Sequence, residues 1–210
     1  MCIRDRFSRW CAVLARTDGA ASLHKGISYI LVDMDSPGIE IRPIELISGD
    51  PEFSEVFFDD VEVPREQLLG KLHGGWSIAM HTLGHERSTY AASRQATLRV
   101  QLRELIASAR SIRRQGVSAL DAPEVAHAVT RAHVAVEVLG HQTMGSLGRD
   151  AHRGGPGAES SIDKLYLSVA EQAIGQASLL VLGPASTSDA SDHQTADLRS
   201  RYLYGRAAAI

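Results

Sequence analysis

Residues 53–87, FSEVFFDDVEVPREQLLGKLHGGWSIAMHTLGHER, contain the transition that decides the fold of this chain. The first half alternates apolar and acidic residues and stops at Pro64, which predicts a β-strand over residues 54–63. From Gly75 onward the apolar residues recur at helical spacing, so a long helix is predicted to begin there. The chain is therefore expected to pass from a sheet into helices within this stretch.

The residues before this stretch have the pattern of short strands. Segments 10–17, 27–33 and 39–46 are apolar or alternating and are separated by turns without an intervening helix. This arrangement predicts an antiparallel sheet or part of a β-barrel. Pro43 has no amide hydrogen to donate, so the third segment is expected at a sheet edge or to end early.

The residues after Gly75 are predicted to be helical almost throughout. The first helix is expected over residues 75 to about 114, and the fourth from about residue 195 onward. The second helix is predicted to bury one face, formed by Val125, Val129, Ala132, Val136, Leu139 and Thr143. The third helix is predicted to end before Gly183 and to carry the apolar set Ile162, Leu165, Val169, Ala173, Ala177 and Leu180. The predicted fold class is α+β: an antiparallel sheet or partial barrel followed by an antiparallel four-helix bundle.

Composition excludes several classes of protein. The chain has 210 residues, 44% of them apolar, and a net charge of −3, which argues against nucleic acid as a partner. Cys2 and Cys11 are its only cysteines and suggest no disulfide framework. The sequence has neither a signal peptide nor an apolar run of the roughly 18 residues that a membrane span needs. We therefore expect no membrane partner and a cytoplasmic protein, or one in an organelle matrix if a missing start carried a targeting sequence.

Three segments resemble the acyl-CoA dehydrogenase family, in the family's order. They are GISYILVDMDSPGIEIRPI, then EVFFDDVEVP with LLG, GGW and LGHER, and finally SIDKLYLSVAEQAIGQASLLVLGP. The resemblance covers nearly all the chain from about Trp10 onward. It implies that residues 1–72 are the C-terminal part of the family's middle β domain, and that residues 73–210 are most of its C-terminal helical domain. Members of the family are much longer, so both domains are expected to be truncated here.

The resemblance also implies a reaction. The whole protein would use FAD to oxidise an acyl-CoA thioester to the 2-enoyl-CoA in fatty acid metabolism, by α-proton abstraction and β-hydride transfer to flavin. Electrons would pass to an electron-transfer flavoprotein, and the protein would be a homodimer or homotetramer. The alternatives are an acyl-CoA oxidase and a catalytically inactive structural or acyl-CoA-binding homologue. Residues 1–210 alone are expected to be inactive.

Glu86 is the predicted catalytic base. A minority of the family places its base on this long helix, in an LxxER-like context that Glu86 matches eleven positions after Gly75. A carboxylate close to the α carbon and poorly hydrated could remove the α proton. The alternative is an exposed glutamate paired with a lysine or arginine one turn away.

The resemblance assigns three further residues. Arg87 matches an arginine near the CoA groove and is predicted to bind substrate, although a surface ion pair is the alternative. Arg113 and Gly116 lie where the family contacts the flavin pyrophosphate, but Ile112 occupies the usual arginine position. The alternative for this basic segment is a set of cations that complements the helix dipole.

A metal site is not predicted. His81, His85 and Glu86 lie on one helix, but HTLGHE lacks the HExxH order and no third ligand is indicated.

Overall fold

The computed structural model describes residues 2–3, 7–49, 51, 53–155, 157, 160–187 and 193–206. Within these ranges the strands come first and the long helices follow, which confirms the predicted α+β class. The chain divides into two compact units, Met1–Leu83 and Gly84–Ile210, and the boundary falls inside the first helix.

The first unit contains two antiparallel sheets of three strands each. Their strand orders are β1-β5-β4 and β2-β3-β6. The strands are β1 (Cys2–Ile3), β2 (Trp10–Arg16), β3 (Ile27–Asp33), β4 (Ile39–Ile44), β5 (Phe53–Phe58) and β6 (Leu68–Leu69). β2 and β3 pair along their whole length, from Trp10 opposite Asp33 to Arg16 opposite Ile27.

Two strand predictions can be compared directly with these sheets. Pro43 lies in β4, which is an edge strand as predicted. An edge strand is paired on one side only, so a residue without an amide hydrogen is tolerated there. The strand predicted over residues 54–63 was too long, since β5 ends at Phe58. Asp60 follows with a φ of 49°, and the Asp59 amide donates to the Gly38 carbonyl at 2.9 Å, so the chain turns there.

A buried hydroxyl holds the residues just before α1 (Gly75–Ser111) against strand β3. Ser28 is fully buried, and its Oγ accepts a hydrogen bond from the His73 amide at 2.9 Å. Thr17 Oγ1 lies 2.7 Å from Ser28 Oγ and 2.9 Å from His73 Nδ1. These bonds fix where the chain leaves the sheet, and they explain why the period changes from strand to helix at Gly75.

The second unit is built from four helices around one apolar core. Besides the later part of α1, they are α2 (Pro123–Arg153), α3 (Ser160–Leu182) and α4 (His193–Tyr204). α1 contributes Leu98, Leu102, Leu105 and Ala109 to the core. The predicted face of α2 is confirmed, because all six of its residues are buried.

The predicted apolar set of α3 is not the buried one. Ile162, Leu165, Val169 and Leu180 are exposed, and Leu165 keeps 62% of its surface. The core instead takes Leu167, Ala170, Ile174 and Val181, together with Ala177 from the predicted set. α3 is apolar on more than one side, so periodicity alone could not select the face that meets α1 and α2.

The same composition makes Ser161–Thr187 long and apolar enough, among the described residues, to cross a membrane. Half of its most apolar part is buried inside the bundle, however, as is usual for a core helix.

The first helix ends earlier than predicted. α1 stops at Ser111 rather than near residue 114, and a small hairpin follows, made of β7 (Arg113–Arg114) and β8 (Val117–Ser118). Gln115 and Gly116 form its turn with φ values of 51° and 84°. Both residues lie in the left-handed region, as a two-residue hairpin turn requires.

Replacing Gly75 by alanine should destabilise the first unit. A Cβ at Gly75 would lie 2.3 Å from the Tyr29 backbone nitrogen and 2.4 Å from the Ser28 carbonyl carbon, so backbone would have to move. We expect a loss of about 3 kcal/mol in the free energy of unfolding, measured by urea denaturation. Gly19→Ala is the control, because no atom lies within 4 Å of its Cβ position. Equal effects of the two substitutions would contradict this account of the helix start.

Candidate functional site

Glu86 lies on α1 with its side chain exposed to solvent. The residues three and four positions away are Thr82, Leu83, Thr89 and Tyr90, none of which is a cation. The predicted alternative, a pair with lysine or arginine one turn away, is therefore not available within this helix. Among the described side chains, none forms an ion pair or hydrogen bond with the Glu86 carboxylate.

The side chains one turn from Glu86 are two threonines, a leucine and a tyrosine. Leu83 and Tyr90 lie on the same side of α1 by helical spacing, and both are partly exposed. Thr89 does not bind the carboxylate, because its hydroxyl donates to the His85 carbonyl at 2.9 Å. A ligand lying on this side of α1 would meet one carboxylate between a leucine and a tyrosine.

Arg87 follows Glu86 on α1, but its side chain lies outside the described residues. Its predicted role in substrate binding therefore stays a prediction.

Arg113 and Arg114 are adjacent, but only the side chain of Arg114 binds another part of the described chain. Arg114 donates from Nη2 to the carbonyl oxygens of Leu180 and Val181, the latter at 2.8 Å, and so binds the C-terminal end of α3. A cation at this end also complements the helix dipole, but that of α3 and not of α1. Successive residues of a strand point to opposite sides. Arg113 is exposed, and no described residue accepts a hydrogen bond from its side chain.

Gly116 completes the surface beside Arg113. No heavy atom lies within 4 Å of the position that a Cβ would take, so the turn is open to an approaching ligand. An exposed guanidinium beside an open glycine turn is suited to an anionic group such as a phosphate. Both predicted cofactor-binding residues, Arg113 and Gly116, thus lie on one hairpin.

An ion pair that the sequence did not predict joins α1 to α3. Arg94 donates from Nε and Nη2 to Glu171 Oε1, at 2.8 and 2.6 Å. The Glu171 side chain is only 4% exposed and that of Arg94 20%. Burial lowers the pKa of Arg94, but the charge and hydrogen bond of Glu171 raise it by more, so it lies above its usual value. The only local signal was a glutamate beside the apolar positions 170 and 174 of α3.

This ion pair lies in the wall of a cleft of about 230 Å³. Tyr204, near the end of α4, also lines the cleft, and the Arg94 guanidinium carbon is 5.7 Å from the centre of its ring. Arg201 also lines the cleft and is paired with Asp197 at 2.6 Å. The cleft is therefore lined by residues of α1, α3 and α4, and its charged side chains form the pairs Arg94–Glu171 and Arg201–Asp197.

No metal centre was found in the part of the chain that the structure describes. No three histidine, cysteine, aspartate or glutamate side chains there lie close enough together to hold an ion.

Comparison with known proteins identifies similar chains along the whole length. The sequence model described as "Acyl-CoA dehydrogenase, C-terminal domain" matches residues 73–205. The acyl-CoA dehydrogenase IpdE1 of Mycobacterium tuberculosis is 33% identical over 204 residues, which is 97% of this chain and 51% of that protein. The acyl-CoA dehydrogenase FadE34 of the same organism is 54% identical over 84 residues, 40% of this chain and 12% of FadE34.

The fold also has neighbours among solved structures. The structure described as the Tcur3481-Tcur3483 steroid ACAD superimposes with a TM-score of 0.79 over 98% of this chain and 52% of that one. At 19% sequence identity this likeness shows the fold alone. The chain spans about half the length of IpdE1, the relative that matches almost all of it.

Proposed function

Because this chain belongs to the acyl-CoA dehydrogenase family, we propose that the complete protein oxidises an acyl-CoA thioester to the 2-enoyl-CoA. Members of this family are FAD-dependent flavin oxidoreductases. In this proposal residues 1–72 form part of the β domain and residues 73–210 the helical domain. The observation that carries the proposal is the position of Glu86 on α1, where its exposed carboxylate has no partner among the described side chains.

Glu86 is the proposed base for the α proton. The proton bonded to the α carbon passes to a Glu86 carboxylate oxygen, while its bonding electrons form the new double bond and a hydride leaves the β carbon. FAD, when bound, supplies the acceptor for that hydride. Two features of this chain support the assignment of Glu86: its ionisable carboxylate, and the neighbours Leu83 and Tyr90 on the same side of α1.

Arg113 and Gly116 are the proposed contacts for the FAD pyrophosphate. The hairpin fits such a group, because the Arg113 guanidinium is exposed and the Gly116 turn leaves room for phosphate oxygens. Arg114 is not proposed for this purpose, since its Nη2 already donates to the carbonyl oxygens at the end of α3. Arg87 remains the proposed partner of the anionic CoA moiety.

The class of acyl group is best tested with a broad panel. One solved neighbour is described as a steroid ACAD, so a steroid-derived thioester belongs beside straight-chain and branched thioesters. An electron-transfer flavoprotein is the proposed acceptor of the electrons.

Self-association is proposed to use one face of the helical bundle. α2 and α3 form an open groove of about 580 Å³ that is lined by Val134, Val138, Tyr166 and Val169 among others. Val134 and Val169 keep 53% and 51% of their surface, so apolar area is left uncovered in the single chain. A second copy of the chain, in a homodimer or homotetramer, would cover it.

Glu86→Gln should abolish flavin reduction without releasing the cofactor. The amide is close in shape but cannot take up the α proton, so we expect the rate of reduction to fall at least about 1,000-fold. The measurement is the loss of flavin absorbance after anaerobic mixing of the holoenzyme with the thioester panel. Glu124→Gln, which changes an exposed glutamate on α2, is the matched control and should behave like wild type.

Three other results would contradict parts of this proposal. If Glu86→Gln bleaches as fast as wild type, another group is the base. If wild type bleaches with no thioester, the non-catalytic alternative replaces the dehydrogenase. If the reduced flavin is reoxidised faster by dioxygen than by electron-transfer flavoprotein, the protein is an oxidase.

Arg113→Ala should weaken FAD binding. Losing one charge-assisted hydrogen bond to a phosphate corresponds to a rise of about tenfold or more in the dissociation constant. Titration of the apoprotein with FAD, followed by flavin fluorescence, measures this constant. Arg110→Ala removes an exposed arginine from the end of α1 and is the control. Unchanged affinity in Arg113→Ala would remove this residue from the cofactor site.

Val169→Glu should shift the protein toward the monomer. A carboxylate in the middle of the α2–α3 groove would be desolvated by a second copy, so association should weaken by about 100-fold or more. Light scattering coupled to size-exclusion chromatography gives the molar mass. Val100→Glu is the matched control, since Val100 is 50% exposed but lies on α1. An unchanged mass for Val169→Glu would mean that this face is not the interface.

A further inference from the structure

The turn of α1 that carries Glu86 has little support from the helical unit itself. From Gly84 to Tyr90 none of the described side chains is buried, and the first buried one is Ala91. The apolar core takes hold of α1 only from Leu98 onward. Within this unit the turn around Glu86 is therefore held by contacts that begin at Ala91 and continue through Arg94 to Leu98.

The Arg94–Glu171 ion pair is a buried polar contact of this part of α1 and lies three residues after Ala91. Arg94 lies eight residues after Glu86, which is roughly 12 Å along a helix. Tyr90 lies midway and on the same side of α1 by its spacing of four residues from each. Glu171 is buried, and both of the donating nitrogens of Arg94 meet one of its oxygens, so the pair restricts rotation of α1 about its axis.

We propose that Arg94, held by Glu171, is a positioning residue that fixes the turn of α1 bearing Glu86. This inference rests on the proposed role of Glu86, but its structural part does not depend on catalysis. A helix turn that is free to rotate would spread Glu86 over several orientations, and small errors in the placement of a base are costly in rate. The pair would thus act on the limiting rate of flavin reduction and not on the affinity for the thioester.

A second ion pair on the same helix provides a control. Arg99 donates to Glu137 at 2.8 Å and links α1 to α2, but both side chains are well exposed, at 46% and 39%. It lies five residues beyond Arg94, in the part of α1 that the apolar core already holds. Its loss should therefore leave the turn around Glu86 undisturbed.

The direct experiment is hydrogen–deuterium exchange of the holoenzyme, with and without Arg94→Ala. We expect exchange of the amides of residues 84–91 to accelerate about tenfold or more, while those of residues 98–109 remain protected. Arg99→Ala should change neither segment. The limiting rate of flavin reduction should fall by roughly 10- to 100-fold in Arg94→Ala, with less than about a twofold change in the thioester dissociation constant.

Arg94→Lys keeps the charge but not the two-nitrogen contact, so it should fold and show an intermediate effect in both measurements. If Arg94→Ala does not fold, both measurements are made on Arg94→Lys instead. Unchanged exchange at residues 84–91 in Arg94→Lys and Arg94→Ala would overturn the inference. A wild-type protein that no thioester reduces would refute the proposed function instead, while the exchange result would still judge the positioning role.

Discussion

The helical unit is organised around one apolar core to which all four helices contribute, α1 through a single seam. α1 has 37 residues, and a helix of that length is held by its neighbours rather than by local propensity. Leu98, Leu102, Leu105 and Ala109 provide the seam, and it lies entirely in the later part of the helix. The earlier turns are left without a core of their own in this unit, which is where Glu86 lies. The core of this unit thus holds the later part of α1 and leaves the turn around Glu86 exposed.

Charged side chains divide into those used to hold helices and those left for ligands. Arg94 is taken by Glu171, and Arg114 by the last carbonyls of α3. The predicted site residues Glu86 and Arg113, by contrast, are exposed and have no partner among the described side chains. A buried pair costs desolvation on both sides and is strongly destabilising when only one member is lost. Pairs of that kind fix geometry, whereas exposed unpaired charges are available to bind anions or move protons.

Much of the fold followed from local pattern, and the exceptions have physical causes. The change of period at Gly75 and the single apolar face of α2 predicted their elements correctly, because each pattern admits one arrangement. α3 is apolar on several sides, so its buried face depended on partners distant in the chain. The hairpin at Gln115 and Gly116 interrupted a stretch rich in helix formers. Arg94 and Glu171 are separated by 77 positions, and no local pattern joins residues so far apart. Glu86, Arg87, Arg113 and Gly116 came from family resemblance, and their roles remain predictions.

The central claim is that the Glu86 carboxylate takes the α proton of an acyl-CoA. Deuterium incorporation at the α carbon tests it most directly, because it follows the proton itself rather than the electrons. The holoenzyme and a thioester that reduces its flavin are incubated anaerobically in heavy water, and the recovered thioester is analysed by mass spectrometry. We predict α-deuterium in the thioester with the wild-type protein and none above background with Glu86→Gln. Equal incorporation by the two proteins would contradict the claim.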